Sequence, residues 1–596
     1  MSTYTTADPD AATVEVVRNY LNSAAEEMQR TLIRTAYNTI VYEILDFGIS
    51  LYDRDQQLIA DSPGLALFLG ANDYALDRLI DHVGIESMEP GDIFLLNYPY
   101  WSSTHTLDVA VFSPIFLEGE EVDREDNELI GFAATRAHWL DLGAKDPGYV
   151  LDSTDMHQEG LIFPGTKVYE RGEPDDEILE LIRFNSRLPN KVIGDLNAQI
   201  AAIRTGKRRL RELFTKYGSE TVDASISHIH DHGAESAREA VEALPDGSWT
   251  AVDHIDGTTG DLIRIEVEVT IDGDEFHVDF TGSSDQVEEP LNIPLGMTET
   301  VCKLCFKSIT TPDEVSNAGQ YAPLGVTAPE GSIFNASYPA PTFTIWTAIV
   351  SVDIVFKALA QALPGYIPAS SGGDLNDIML YGENPETGRQ FVEANNDAVG
   401  WGATDERDGP NALMHITETM VRNLPIEVLE NKAPIRFDTL TLRQDSGGIG
   451  EYRGGVGLQR DYRITGPVGA LSIIQKTKRP GWGLEGGKPG AKNGVVLHLQ
   501  DDADERVQIL VDNSDLYDDG LTWVGMFRGN FQEGEVISNR SGGGGGFGEA
   551  FDRDPEAVLE DVIDGYVSRE SARDDYGVII TENLEIDHEA TAELRE

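Results

Sequence analysis

The sequence predicts an α+β fold: one large multi-region module with mixed sheets, long amphipathic helices and a β-rich, Gly-rich C-terminal third. Three observations carry this. Apolar residues recur at helical spacing in long stretches, and they alternate at strand spacing in several short ones. From about residue 436 both patterns give way to glycine, turns and short strands.

The elements follow in order. Val14, Val17, Leu21, Ala24 and Met28 form the apolar stripe of an N-terminal helix. "FGISLYDRDQQLIA" reads as two strands joined at a "DRDQ" turn, and "GDIFLLNYPY", "DVAVFSPIF" and "LIGFAAT" read as further strands. A long helix spans "PNKVIGDLNAQIAAIRTGKRRLRELFTKYG", with Ile193, Leu196, Ile200 and Ile203 on its apolar face and Gly218 as its stop. Its basic run, Lys207 to Arg211, reads as a solvated face, with contact to an acidic partner or anionic substrate as the alternative. A second region opens near "LPDGSW" with a hairpin, "RIEVEVTIDGDEFHVDF", turning at Asp272 and Gly273. The helical segment "TFTIWTAIVSVDIVFKALAQAL" follows, and then the glycine-rich third. These shifts divide the chain into an N-terminal α/β region (1–245), a central α+β region (246–435) and a C-terminal region (436–596).

Composition narrows the function. With 104 acidic against 45 basic residues, the net charge is -59. That charge repels nucleic acid and anionic membranes, so neither is an expected partner. The acid is spread along the chain, as on the solvated surface of a halophile's protein, where molar salt shortens the Debye length to about 3 Å. No apolar run has the length of a membrane span, and the first residues lack a basic and apolar leader, so the expected location is cytoplasmic. Cys302 and Cys305, the only cysteines, lack the second pair of a closed zinc site and read as core thiols on one helix face.

Two histidine–carboxylate pairs carry the chemistry. "THTLD" holds His105 and Asp108, and "AHWLD" holds His138 and Asp141, each beside a strand-like run. Four such ligands suit Mn, Fe or Zn. The spacing is not unique: His228/Asp231 and His498/Asp501 share it, and His228 and His232 stand one helical turn apart on what reads as an exposed helix. "SGGGGGFG" (541–548) lacks the Lys and Ser/Thr of a phosphate loop and reads as a close-packed turn. No strand–GxGxxG–helix unit supports a dinucleotide fold, and no GxSxG elbow is present.

Beyond these residues, the chain resembles the hydantoinase B/oxoprolinase family over about residues 12–580. The resemblance runs through "GDIFLLNYPYWSSTHTLD", "ATRAHWLDLGAKDPGY", "DSTDMHQEGLIFPGTKVYERG", "HVDFTGSSDQVEEPLNIP", "DSGGIGEYRGGVGLQR", "GWGLEGGKPG" and "SGGGGGFG". It implies the B-type component of an ATP-dependent cyclic amide hydrolase of hydantoinase, N-methylhydantoinase or 5-oxoprolinase type. A partner A-type subunit would consume ATP to activate the ring, and this chain would open it within a hetero-oligomer. The alternatives are a subunit of acetone or acetophenone carboxylase type and a non-catalytic scaffold. The resemblance implies a divalent metal, Mn foremost among Mn, Zn and Fe, on His105, Asp108, His138 and Asp141, with Glu159 of "QEG" carrying a proton. Departures from the family pattern are Tyr98 in place of an acid, Trp101-Ser102-Ser103 in place of a small Gly-Gly before the Thr-His, and Trp139 in place of a second histidine.

Overall fold

The computed structural model describes residues 9–596 except 63, 374, 375 and 419, with only the backbone of Leu69 and Ile473. Contacts divide the chain into two compact units. The first comprises Met1–Ser248, Glu268–Ala348 and Thr417–Arg422; the second comprises Trp249–Val267, Ile349–Ile416 and Asn423–Glu596. Residues of the expected central region are thus divided between the two. Among the described residues, no helix is long and apolar enough to cross a membrane.

The first unit is built on a seven-stranded sheet. Its strands are β1 (Phe47–Tyr52), β2 (Leu58–Ser62), β3 (Ile93–Leu96), β4 (Asp108–Phe116), β5 (Leu129–His138), β6 (Pro164–Glu170) and β7 (Glu173–Pro174), in the spatial order β2-β1-β5-β4-β3-β6-β7. Its helices are α1 (Ala11–Thr35), α2 (Ala66–Val83), the short α3 (Pro99–Ser102), α4 (Asp176–Asn185), α5 (Pro189–Tyr217), α6 (Ser219–Glu242) and α7 (Leu295–Thr310). Strand alternation sends Val109, Val111, Ala133 and Ala137 into a core with Val17, Leu21 and Met28 of α1 and Leu196, Ile200 and Ile203 of α5. The opposite face sends Ala110, Phe112, Phe132 and Ala134 against Ala75, Leu76 and Leu79 of α2. Each such side chain, fully buried, contributes about 1.5–3 kcal/mol for the larger types.

α5 ends at Gly218, whose φ of 80° suits glycine. The basic run on α5 is satisfied internally. Lys207 lies 2.7 Å from Glu120, Arg208 and Arg209 pair with Glu27 and Glu212, and Arg211 donates to the Phe116 carbonyl. Cys302 and Cys305 are buried, unbridged thiols on α7.

The second unit holds a nine-stranded antiparallel sheet among the described residues, which draws its first strands from Asp377–Glu383 and Gln390–Asn396. Beside it, residues 541–548 form an extended glycine strand. Gly543 and Gly546 donate their N–H groups to the carbonyls of Ala491 and Lys488, Gly544 and Phe547 to Gly455 and Tyr452, and Gly545 to Ser370. Donors three residues apart return to one neighbouring segment along two of three directions, whereas Gly545 and Gly548 donate to the separate carbonyls of Ser370 and Leu484, a near-threefold pattern like that of a polyproline-II-type strand. A Cβ at 543, 544 or 545 would lie 1.7, 1.9 or 2.0 Å from a carbonyl oxygen of Ser446, Trp401 or Trp482. These amides are spent on backbone, so the run is close-packed as expected but extended and not a turn, and it is not an anion loop.

Candidate metal centre

Antiparallel register assembles this site. β5 lies between β1 and β4, and its C-terminal end meets the N-terminal ends of both neighbours. Asp108 and His138 are direct cross-strand partners. Asp46 immediately precedes β1, and its carbonyl accepts the His138 N–H at 3.4 Å. His105 joins from the turn before β4, where the Asp108 N–H donates to the His105 carbonyl at 3.1 Å. That turn makes the three-residue spacing effective, since it folds both side chains to one side.

The result is a buried trio. Ligand atoms of His105, Asp108 and His138 all lie within 4.8 Å of one another. His105 Nε2 is 3.3 Å from Asp108 Oδ2, and His138 Nδ1 is 3.0 Å from Asp108 Oδ1. Phe343 stacks on His105 at 5.4 Å, and Tyr149 stands 5.9 Å from each imidazole. Burial in this apolar shell pushes His105 down to about 4, so its ring is neutral and its lone pair is available near pH 7. Burial also raises Asp46 to about 7, opposed by His138 and assisted by the Asp108 charge.

The residues fit a divalent ion on an observation of their own. Asp46 Oδ1 and Asp108 Oδ2 are both buried without a hydrogen-bond partner. Sealed carboxylate oxygens without a hydrogen bond are costly, and a cation held by the trio would lower that cost at Asp108. The trio's two imidazole nitrogens and one carboxylate suit Mn, Fe or Zn, and Asp46 lies near enough to couple electrostatically to Asp108 and His138.

Asp141 lies elsewhere. Its carboxylate accepts from the backbone N–H and guanidinium of Arg187, from Ser186 and from Gly143. The reason is local: β5 ends at His138 and no turn of the 105–108 kind follows, so the same spacing leads away from the cluster. Asp46, which the sequence reading missed, has no patterned histidine nearby; only strand register reveals it. His228 and His232 are exposed on α6. The aromatic departures form their own cluster, with Tyr98 edge-on to Trp101 at 4.8 Å and the Tyr100 hydroxyl donating to the Ala340 carbonyl.

Glu159 is fully buried. Its Oε1 accepts from Ser153 Oγ at 2.8 Å and from the N–H groups of Thr342 and Phe343 at 3.0 and 3.1 Å. It thereby holds the segment that lays Phe343 on His105. Desolvation outweighs these donors and raises its carboxyl to about 8 from 4.5. The native state therefore binds the extra proton between those values, and stability falls as pH rises through that window. Glu159→Gln keeps the acceptor and removes the titration. Its stability relative to the unaltered chain is expected to rise by about 1.4 kcal/mol per pH unit between pH 5.5 and 7.5, read from denaturant midpoints. A constant difference across that range would contradict the buried, raised carboxyl.

Comparison with known proteins concerns the chain as a whole. The hydantoinase B/oxoprolinase family model matches residues 10–550. The putative B-type D-/L-hydantoinase chain of Pseudomonas sp. (strain NS671) is 33% identical over 607 residues, covering 98% of both chains. The beta chain of caprolactamase from Pseudomonas jessenii is 30% identical over 596 residues, again covering 98% of both. The crystal structure of ATP-dependent caprolactamase from Pseudomonas jessenii superimposes with a TM-score of 0.88 over 98% of this chain and 99% of that one, at 27% identity. With a family match across nearly its whole length and a shared fold, this chain belongs to the hydantoinase B/oxoprolinase family.

Proposed function

We propose that this chain is the B-type component of an ATP-dependent hydrolase of cyclic amides. In this reading an A-type partner uses ATP to phosphorylate the ring carbonyl oxygen, and this chain admits water to the activated carbon. One water adds its oxygen to that carbon, the C–N bond breaks as the nitrogen takes up a proton, and the acyl phosphate so formed is hydrolysed by a second water, whose oxygen stays on the carbon as phosphate departs with the former carbonyl oxygen. The observation that carries the reading is the buried His105–Asp108–His138 trio with Asp46 at its edge, in a chain similar over its length to one component of a caprolactamase.

Those four side chains would hold the divalent ion, Mn foremost, whose charge supplies Lewis-acid assistance to the added water. His105 is neutral at the outset, and the Asp46 carboxyl, raised to about 7 by burial, can accept the water's proton. Phe343 and Tyr149 exclude bulk solvent, which strengthens every charge interaction at the site. Glu159, expected from the sequence to move a proton, acts here as a positioning residue, because its carboxyl faces Ser153 and the 342–343 amides.

The test is reconstitution. The chain, purified with its A-type partner, is given ATP, Mn and in turn hydantoin, N-methylhydantoin, 5-oxoproline and caprolactam. Ring-opened product formed with stoichiometric ADP is expected for at least one. No ring opening, with bicarbonate instead fixed into a ketone, would overturn the hydrolase reading in favour of a carboxylase.

A further inference from the structure

At one place the second unit inverts the charge order of the chain. With 104 acidic against 45 basic residues, carboxylates outnumber cations more than twofold, so surface cations that lack one stand out. Lys357, Lys478 and Arg479 are three such residues in one neighbourhood. Their side chains donate to the Val252 carbonyl at 3.1 Å, to the Gly260 carbonyl and to His254 Nδ1 at 2.8 Å, and none pairs with a carboxylate among the described residues.

The strand Gly247–Asp256 explains how they come together. Alternation turns Asp253 and Ile255 inward and Val252 and His254 outward, and Asp256 at the strand's end is buried as well. Residues 476–479 are laid along this strand. Lys476 Nζ lies 2.7 Å from Asp253 Oδ2. Thr477 donates its N–H and its hydroxyl to Asp256 Oδ2 at 2.7 and 2.8 Å, and the Lys478 N–H donates to the same oxygen at 3.3 Å. The carboxylates are thus buried and spent, while the cations face out. Arg479 is exposed, and His254, Lys357 and Lys478 are half-buried, so the patch is open to solvent.

His254 is its centre. A guanidinium can only donate, so Nδ1 of His254 accepts from Arg479 and the proton of the neutral ring sits on Nε2. Nε2 makes no hydrogen bond among the described residues. Burial, then the charge of Arg479, holds His254 below the usual imidazole range, with Arg264 and Lys357 adding to this and Asp253 opposing it. Arg264 is paired with Glu266. Burial also lowers Lys357, and Lys476 and Arg479 add to that effect. Like charges held within one another's field are a cost that a bound anion relieves.

We propose that Arg479, His254 and Lys357, with Lys478 at the edge, form a surface site on the second unit that takes a phosphate group. A phosphate carries a charge of about -1.5 to -2 near pH 7 and offers three acceptor oxygens. The guanidinium fork, the imidazole N–H and the ammonium group supply donors of matching number and sign. A carboxylate brings one charge and two oxygens, so it gains less from the same groups. The phosphate comes from the free anion or from the tail of a nucleotide. No step of the hydrolase reading passes through this site, and the inference stands without it.

The test is calorimetry on the full-length chain after chelator treatment, which silences the metal centre, at low ionic strength, where surface charge is least screened. Inorganic phosphate and ADP are expected to bind, and acetate at least about tenfold more weakly. Tighter binding of ADP would make a nucleotide tail the source, and tighter binding of phosphate the free anion. Arg479→Gln is expected to abolish phosphate binding and Lys357→Gln to weaken it about fivefold, with circular dichroism matching the unaltered chain. Lys216→Gln, which removes a charge at the end of α5, should leave the affinity unchanged. If Arg479→Gln does not fold, Lys357→Gln decides. Equal phosphate affinity in these variants and the unaltered chain, or an equal loss in Lys216→Gln, would overturn the site. So would binding of a hexaglutamate peptide without binding of phosphate or ADP, which would make the patch a face for an acidic protein instead.

Discussion

The His138→Ala protein is expected to hold less than about one-hundredth of the divalent metal bound by the unaltered chain, whereas Asp141→Asn stays loaded. Losing one of a small set of ligands costs more than the roughly 10- to 100-fold typical of supporting residues around a metal. His138 has no substitute, because its place is fixed by register opposite Asp108, and the other rings around it, Tyr149 and His105, cannot take over its position. Asp141 spends its carboxylate on Arg187, so its replacement should lower stability and leave metal content intact. Asp46→Asn should fall between the two, since an amide oxygen still coordinates but brings no charge. Metal content after exhaustive dialysis, measured by mass spectrometry, reads all three. Equal metal in the His138→Ala and unaltered proteins would remove the centre on which the functional reading stands.

The Gly544→Ala substitution is expected to destabilise the second unit by more than about 4 kcal/mol, which places it among the few mutational mechanisms of that size. The added methyl would sit 1.9 Å from the Trp401 carbonyl oxygen and 2.1 Å from its carbon. Both are backbone atoms, and Trp401 is itself tied down, because its carbonyl accepts the Gly455 N–H and its own N–H donates to Pro410. No side chain can swing aside to relieve the clash. Denaturant unfolding with tryptophan fluorescence should show loss of the cooperative transition. A midpoint unchanged from the parent would mean the glycine strand is not packed as described. As a control, Gly520→Ala, where a Cβ meets nothing within 4 Å, should cost only the strain of its φ of 72°.

Most of the fold could be read from periodicity, because helices α1 and α5 and the β1–β5 strands each bury one regular face. His105, Asp108 and His138 were legible from spacing beside strands. Asp141 and Asp46 show the limit of that signal. Whether His and Asp three apart converge depends on the turn between them, and the turn at 105–108 has no counterpart after 138. Asp46 enters through pairing between strands far apart in sequence, which no local pattern encodes. The interleaving of the two units was equally invisible, because composition changes along the chain do not reveal where it crosses between cores.

The near-threefold glycine strand has a further consequence, which concerns length and not side chains. Each residue along it turns the next donor by about a third of a revolution. Removing one glycine would therefore rotate every later amide onto the wrong neighbour, as a screw cut one thread short engages nothing beyond the gap. Ordinary loops absorb insertions by bulging into water, but this one is enclosed by Ser370, Trp401, Gly455 and Lys488. The count of residues between Ser541 and Phe547 is thus as fixed as their identity, and lineages of this chain should vary almost anywhere before they vary there.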